Sequence, residues 1–278
     1  MNHSTVTTSQ IQQGIRVLQL SGRPLCVHSS LRSFGWLQDG AATVIDGILS
    51  EGCTLLVPTF TSHFDVAPPA GRRRERNGFD DANEQPGNVI SGWYTSDSTL
   101  INGEMGALPR TLLGMQGRWR GLHPHDSFSA IGPAAAELIQ DQRPLHVYAP
   151  FEALVRLDGW VVLMGVGLDR MTLIHYAEQR AGREPFRRWS RDQSGEIIES
   201  QVGGCSDGFE RLSGPLAALE RTTEVGGSHW RAYPAGAFVE LAAQVIRTQP
   251  DITHCANPNC LRCNDAISGG PIGIGEAR

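Results

Sequence analysis

The chain has 278 residues, 40% of them hydrophobic, with 29 acidic against 24 basic side chains and a formal net charge of −5. That length can bury a substantial core, and the charge argues against a nucleic-acid binder, which carries a basic face. No apolar run reaches the roughly 20 residues of a bilayer-spanning helix. The polar opening "MNHSTVTTSQIQQG" lacks a signal-peptide core, so a soluble, cytoplasmic protein with no membrane partner is expected.

Along the chain, "IQQGIRVLQLSG" predicts a helix, "PLCVHSS" a strand, "DGAATVIDGILSEG" a helix and "CTLLVPTF" a second apolar strand. Strand, helix, strand with short connections is a βαβ unit, which implies a parallel pair buried under helices. From Thr61 to Gly103 the periodicity is lost in a segment rich in Pro, Gly, Asn and charge. Structureless segments of that length inside a domain are usually functional. The run Arg72, Arg73, Arg74, Arg76 within it reads as solvated charge.

"MGALPRTLLGMQG" predicts a helix, "SFSAIG" a short strand, and Pro133 the first turn of another helix. "APFEALVRLDG" then predicts a helix that feeds the apolar strand "WVVLMGVG". Beyond Arg183 the pattern turns antiparallel, with a hairpin around Gly195 in "FRRWSRDQSGEIIESQV". "AGAFVELAAQVIRTQP" predicts an amphipathic helix, and residues 268–278 a frayed tail. The sum is an α/β chain, parallel early and antiparallel late, with a cysteine-containing subregion at 200–265; length leaves one large domain or two small ones open.

Four groups of residues carry candidate chemistry. In "MTLIHYAEQRAG", Thr172, His175 and Glu178 recur every three residues after a glycine-ended strand, so they share one face of the next helix. An imidazole there can act as general base, a carboxylate can orient it, and a hydroxyl can donate to a developing negative charge. In "VHSSLRSFG", His28, Ser29 and Ser30 leave the first strand where ligand sites of open α/β sheets lie. They form a cradle for an oxyanion or a cofactor's amide and phosphate groups. "HPHDS" offers His123 and His125, which on an extended segment could both ligate a metal, so a metal-dependent hydrolase is an alternative reading. Neither a nucleophile elbow nor a dinucleotide or nucleoside-triphosphate motif is present.

The fourth group is the cysteines. Cys26 and Cys53 sit in strand-like apolar context and read as small core residues. Cys205, Cys255, Cys260 and Cys263, with His254, are in polar context, and five such ligands exceed the four of a closed, structural zinc site. Sequence does not choose which four.

Taken together, "VHSSLRSFG", "GALPRTLLGMQGRWRGLHPHDSFSAIGPAAAELI" and "LDGWVVLMGVGLDRMTLIHYAE", in order over roughly residues 14–185, resemble the aminoglycoside 3-N-acetyltransferases. "GGCSDGFERL" and "HCANPNCLRCNDA" look like a subgroup with a cysteine-containing C-terminal region, which includes enzymes acting on apramycin. The resemblance implies a single domain over 1–278 with the antibiotic N-acetyltransferase fold, a central mixed, partly parallel α/β sheet flanked by helices, distinct from the GNAT acetyltransferases. It implies acetyl-CoA as co-substrate, the 3-amino group of a 2-deoxystreptamine aminoglycoside as acceptor, and antibiotic resistance as the outcome. Oligomeric state is left between monomer and homodimer.

Carried over residue by residue, the resemblance makes His175, Glu178 and Thr172 catalytic. His28, Ser29, Ser30, Leu31, Arg32, Phe34, His123, Ser127 and Thr172 are assigned to the cofactor, and His125 becomes a variable position. The acceptor's ammonium groups need carboxylates, expected among Asp65, Asp80, Asp81, Glu178, Glu184 and Glu224. The segment 61–103 is expected beside the acceptor, and its length and charge depart from the family pattern. Another small amine as acceptor, or loss of transfer with retained acyl-CoA binding, are the competing readings.

Overall fold

The computed structural model describes residues 5–79 and 90–273; Asp80 and Asp81 lie outside the described residues. In chain order the elements begin with α1 (Thr8–Val17), β1 (Pro24–Ser29), α2 (Ala41–Ser50), β2 (Thr54–Pro58) and β3 (Asp65–Val66). They continue with α3 (Ala107–Leu113), β4 (Trp119–Arg120), β5 (Phe128–Ile131), α4 (Ala135–Ile139), α5 (Ala149–Arg156) and β6 (Trp160–Met164). The rest are α6 (Leu173–Arg180), β7 (Phe186–Arg191), β8 (Ile197–Val202), α7 (Ser213–Leu216), β9 (Arg221–Val225), β10 (Ser228–Pro234), α8 (Ala235–Thr248) and α9 (Leu261–Ile267).

Seven strands form one mixed sheet in the order β4-β5-β2-β1-β6-β10-β9. Its centre is parallel, with Leu25 beside Leu55 on one flank and beside Trp160 on the other. The remaining pairs are antiparallel. A second, three-stranded antiparallel sheet has the order β3-β7-β8. The mixed, partly parallel, helix-flanked sheet agrees with the sequence expectation.

The central strands are apolar on both faces because both faces are covered. Alternation along β1 and β6 sends Cys26, Val161 and Leu163 into one core with α4, α5, α6 and α8. Leu25, Val27, Val162 and Met164 enter a second core with α1, α2 and α3. Burying each such side chain contributes about 1.5–3 kcal/mol. The first core contains an aromatic chain, with Phe128 edge-on to Phe151 at 4.9 Å and Phe151 stacked on Tyr176 at 6.4 Å. That chain fixes the position of α6 under the end of the sheet.

Several details differ from the sequence expectation. Pro133 lies in the turn before α4, which starts at Ala135. The pair β9 and β10 was not foreseen, although the Gly226–Gly227 turn between them suits a hairpin. Ile272, in the stretch expected to fray, donates its N–H to Glu75 O at 3.1 Å. The basic run is only partly solvated: Arg74 forms a paired contact with Glu199 at 2.8 and 2.9 Å, and Arg76 donates to Ser268 O. No helix among the described residues is long and apolar enough to cross a membrane.

Gly47 shows how tightly α1 lies on α2. A Cβ at that position would stand 2.5 Å from Ile11 Cβ, a branched carbon that cannot rotate away. Glycine to alanine in an open helix gains about 1 kcal/mol, whereas overpacking a core costs about 1–3 kcal/mol. Gly47→Ala is therefore expected to lower the melting temperature in a thermal unfolding measurement; a rise in that temperature would show that the two helices separate freely.

Candidate active site

The carboxyl ends of β1, β2 and β6 open into a cleft of about 1080 Å³. An open α/β sheet places its ligands there, because strand ends expose backbone groups that no neighbour pairs. Val27, His28, Ser29 and Ser30 enter it from β1, and Leu31 and Arg32 follow in a short 3-10 turn. Thr172 and His175 enter from α6, and Gly203 and Gly204 from the segment after β8.

His175 is 9% and Glu178 8% exposed. Their helical spacing brings His175 Nδ1 to 2.8 Å from Glu178 Oε2, as the three-residue period predicts. The other carboxylate oxygen accepts from Arg183 Nη1 at 2.6 Å and from Thr253 Oγ1 at 3.0 Å. Arg183 in turn donates to Pro250 O at 2.6 Å. A guanidinium is always charged, so its partner stays a carboxylate and can only accept. Nδ1 of His175 must then carry the proton, and in the neutral ring Nε2 keeps the lone pair. Phe209 holds the ring edge-on at 4.8 Å. Thr172 occupies the N-cap of α6 without making a capping bond, and its side chain lines the cleft.

Gly203 closes on the other side of the imidazole. A Cβ there would stand 2.9 Å from His175 Cδ2 and 3.2 Å from Nε2, so only a glycine backbone fits this close. Its N–H donates to Asp126 Oδ2 at 3.0 Å. Asp126 lines the cleft, and burial raises its carboxyl above the ordinary range. Asp65 Oδ1 stands 2.8 Å from His125 Nε2, yet neither atom makes a hydrogen bond. His125 Nδ1 lies 2.6 Å from Ser200 Oγ.

The cleft gathers His28, Ser29, Ser30, Leu31, Arg32, Asp65, Thr172 and His175, with Glu178 directly behind His175. Burial pushes the His28 imidazole down to about 4, so it enters the cleft as an uncharged ring. The other candidates lie elsewhere. Phe34 is buried in the second core edge-on to Trp230, because its ring is the apolar side of the turn. His123 is fully buried beneath the cleft, where Nδ1 accepts the Asp126 N–H at 2.8 Å and burial lowers the ring to about 3. Ser127 is also fully buried and donates to Thr59 O at 2.9 Å. Both shape the loop that carries His125 and Asp126.

Among the acceptor carboxylates, Glu178 has both oxygens engaged and is unavailable to an amine. Glu184 is exposed and faces Arg187 at 3.5 Å. Glu224 sits on β9, exposed and paired with His229, away from the cleft. The "HPHDS" histidines do not form a metal site; among the described residues the group able to hold a metal is Cys205, Cys255, Cys260 and Cys263.

Those four cysteines have ligand atoms all within 4.8 Å of one another. His254 is not among them: its ring nitrogens lie 2.8 Å from Cys255 O and 3.0 Å from Asn264 Oδ1. Two acceptors call for two ring protons, and the backbone bond to Cys255 raises the imidazole accordingly. A hydrogen bond from Cys263 lowers the Cys205 thiol to about 6.

Sequence reasoning missed Arg183, Thr253, Gly203 and Asp126. Arg183 stands five residues after Glu178, a spacing with no helical pairing rule, and Thr253 meets it only through the packing of the 3-10 turn Pro250–Thr253. Asp126 was visible in "HPHDS" but not its access to the cleft.

Residues 26–247 match the aminoglycoside 3-N-acetyltransferase family. Aminoglycoside N(3)-acetyltransferase IX of Micromonospora chalcea is 34% identical over 90% of this chain and 97% of that protein. The apoenzyme of aminoglycoside acetyltransferase AAC(3)-IVa superposes with a TM-score of 0.74 at 25% identity, covering 96% of this chain and 99% of that one. AAC-IIIb, solved with CoASH, shares the fold with a TM-score of 0.71 at 21% identity over 88% of this chain and 98% of that chain. The chain belongs to the aminoglycoside 3-N-acetyltransferase family.

The buried chain Arg183–Glu178–His175 makes an energetic prediction. Removing one member of a buried ion pair costs about 3–5 kcal/mol, because the partner's charge is stranded. Glu178→Ala is expected to lose that much in urea unfolding, and His175→Ala clearly less, since it leaves the ion pair intact. Equal losses would show that Arg183 finds another partner.

Proposed function

We propose that the protein transfers the acetyl group of acetyl-CoA to the 3-amino group of a 2-deoxystreptamine aminoglycoside, and thereby confers resistance. The observation that carries this reading is the imidazole of His175, held by Glu178 through Nδ1 in the same cleft as the His28–Ser30 loop. Family membership supports the chemistry, and the CoASH carried by AAC-IIIb supports the donor.

In the proposed step the acceptor amine attacks the thioester carbonyl carbon and forms the C–N bond. His175 Nε2 takes a proton from the amine, and Glu178 stabilises the resulting imidazolium through Nδ1. Collapse of the tetrahedral intermediate breaks the C–S bond, and the proton held on His175 Nε2 passes to the leaving thiolate, giving CoASH and the neutral ring again. The oxyanion draws on hydroxyls that line the cleft, Thr172 and those of Ser29 and Ser30. The Ser30 N–H is already committed to Met164 O at 2.9 Å, so the side chains serve that role in place of the amide. Holding amine and thioester together supplies the rest of the acceleration, and no acetyl-enzyme is required.

The test is thiol release from acetyl-CoA with gentamicin, apramycin and kanamycin. Turnover dependent on acceptor is expected, and His175→Ala should lower kcat by about 100- to 10,000-fold with the fold retained. Near-normal turnover in that variant would remove His175 from its role.

The cysteine cluster fits a structural zinc. Tetrahedral zinc has Zn–S bonds of about 2.3 Å, so its sulfurs lie about 3.8 Å apart, and the four thiols stand within that order of distance. Cys205, Cys255, Cys260 and Cys263 would hold the ion as thiolates, tying the turn after β8 to α9 and closing the site to water or substrate. One zinc per chain is expected by elemental analysis, and a chelator should lower the melting temperature with little effect on the turnover of protein that stays folded. Abolished turnover in folded, metal-free protein would make the metal catalytic.

A further inference from the structure

We propose that Asp126 is a specificity-determining residue: it receives a second ammonium group of the acceptor while the reacting amine sits at His175. The inference rests on the proposed acetyl transfer to a polyamine and adds to it the residue that recognises the neighbouring charge.

Three observations converge. First, one residue separates the two groups: Gly203 donates its N–H to Asp126 Oδ2 at 3.0 Å, and a Cβ on the same residue would stand 2.9 Å from the His175 ring. An amine at His175 Nε2 therefore has Asp126 as its adjacent carboxylate. Second, two of the three other carboxylates lining the cleft face a basic side chain. Asp169 faces Arg170 at 3.4 Å and Asp65 faces His125 at 2.8 Å, while Glu104 is exposed. Asp126 makes no ion pair among the described residues, and Gly203 fixes the direction of its carboxylate. Third, His125, next in the chain and 4% exposed, turns its Nε2 toward Asp65 Oδ1 at 2.8 Å, so Asp65 is already faced by a ring while Asp126 is not. Asp126 thus offers the cleft a carboxylate with no ion pair among the described residues, with Arg188 also in the lining, and an ammonium group is the partner such a carboxylate accepts from.

Asp126→Asn tests this without removing the acceptor of the Gly203 N–H. Gentamicin is titrated calorimetrically into wild type and variant, and KM is measured for gentamicin and acetyl-CoA separately. The expected result is a gentamicin Kd about tenfold weaker, the size of one lost charge-assisted bond, with the acetyl-CoA KM within about twofold. A purely structural Asp126 would leave the gentamicin Kd unchanged or shift both KM values together, and either outcome overturns the proposal. Wild type that binds gentamicin without releasing thiol would overturn the transfer reaction alone, since the titration needs no turnover. Wild type that binds no gentamicin would overturn both.

Discussion

The ion pair between Arg183 and Glu178 is the constraint on which the site depends. It is made where the desolvation of two charges is expensive, and four further contacts offset that cost: His175, Thr253, the carbonyl of Pro250 and the shared hydrogen bond of Thr253 to Arg183. Its consequence is directional. A carboxylate kept ionised by a permanent cation decides which imidazole nitrogen carries hydrogen, and so which nitrogen faces the cleft with a lone pair. Packing against Phe209 and Gly203 then leaves the ring one orientation.

The sheet provides the rest of the arrangement. Parallel β1 and β6 end side by side, so the loop after β1 and the helix after β6 must meet above the same edge. That brings the hydroxyls of Ser29 and Ser30 opposite Thr172 and His175 although about 140 residues separate them in the chain. The small sheet β3-β7-β8 forms the far wall: β3 delivers Asp65, and the chain leaving β8 delivers Gly203. Both sheets thus contribute residues to one cleft, which Asp126 also lines.

Much of this was legible from residue patterns. Apolar runs bounded by turn residues marked β1, β2 and β6, because strands covered on both faces carry no polar interruption. The three-residue period of Thr172, His175 and Glu178 correctly implied the 2.8 Å contact. The order of several loop motifs implied the family. What escaped was long-range. Arg183 and Thr253 pair across 70 residues, and no local period encodes that. The strands β9 and β10 were missed because "RTTEV" and "SHWRAYP" mix charged and apolar residues, β9 at the sheet edge and β10 beside it. His123, Ser127 and Phe34 carry polar or aromatic groups suited to a ligand, yet packing turned them inward. His254 was grouped with the cysteines by proximity in sequence, and the turn into α9 points it to Asn264.

The tautomer of His175 is the most direct test of this account. In protein labelled with nitrogen-15 at histidine, a two-bond proton–nitrogen correlation spectrum at mildly alkaline pH distinguishes a protonated Nδ1 from a protonated Nε2. The account predicts hydrogen on Nδ1 and an unprotonated Nε2, reverting toward the ordinary Nε2–H mixture in Glu178→Gln. A wild-type ring carrying its proton on Nε2 would contradict it, since that nitrogen could then accept nothing from the attacking amine.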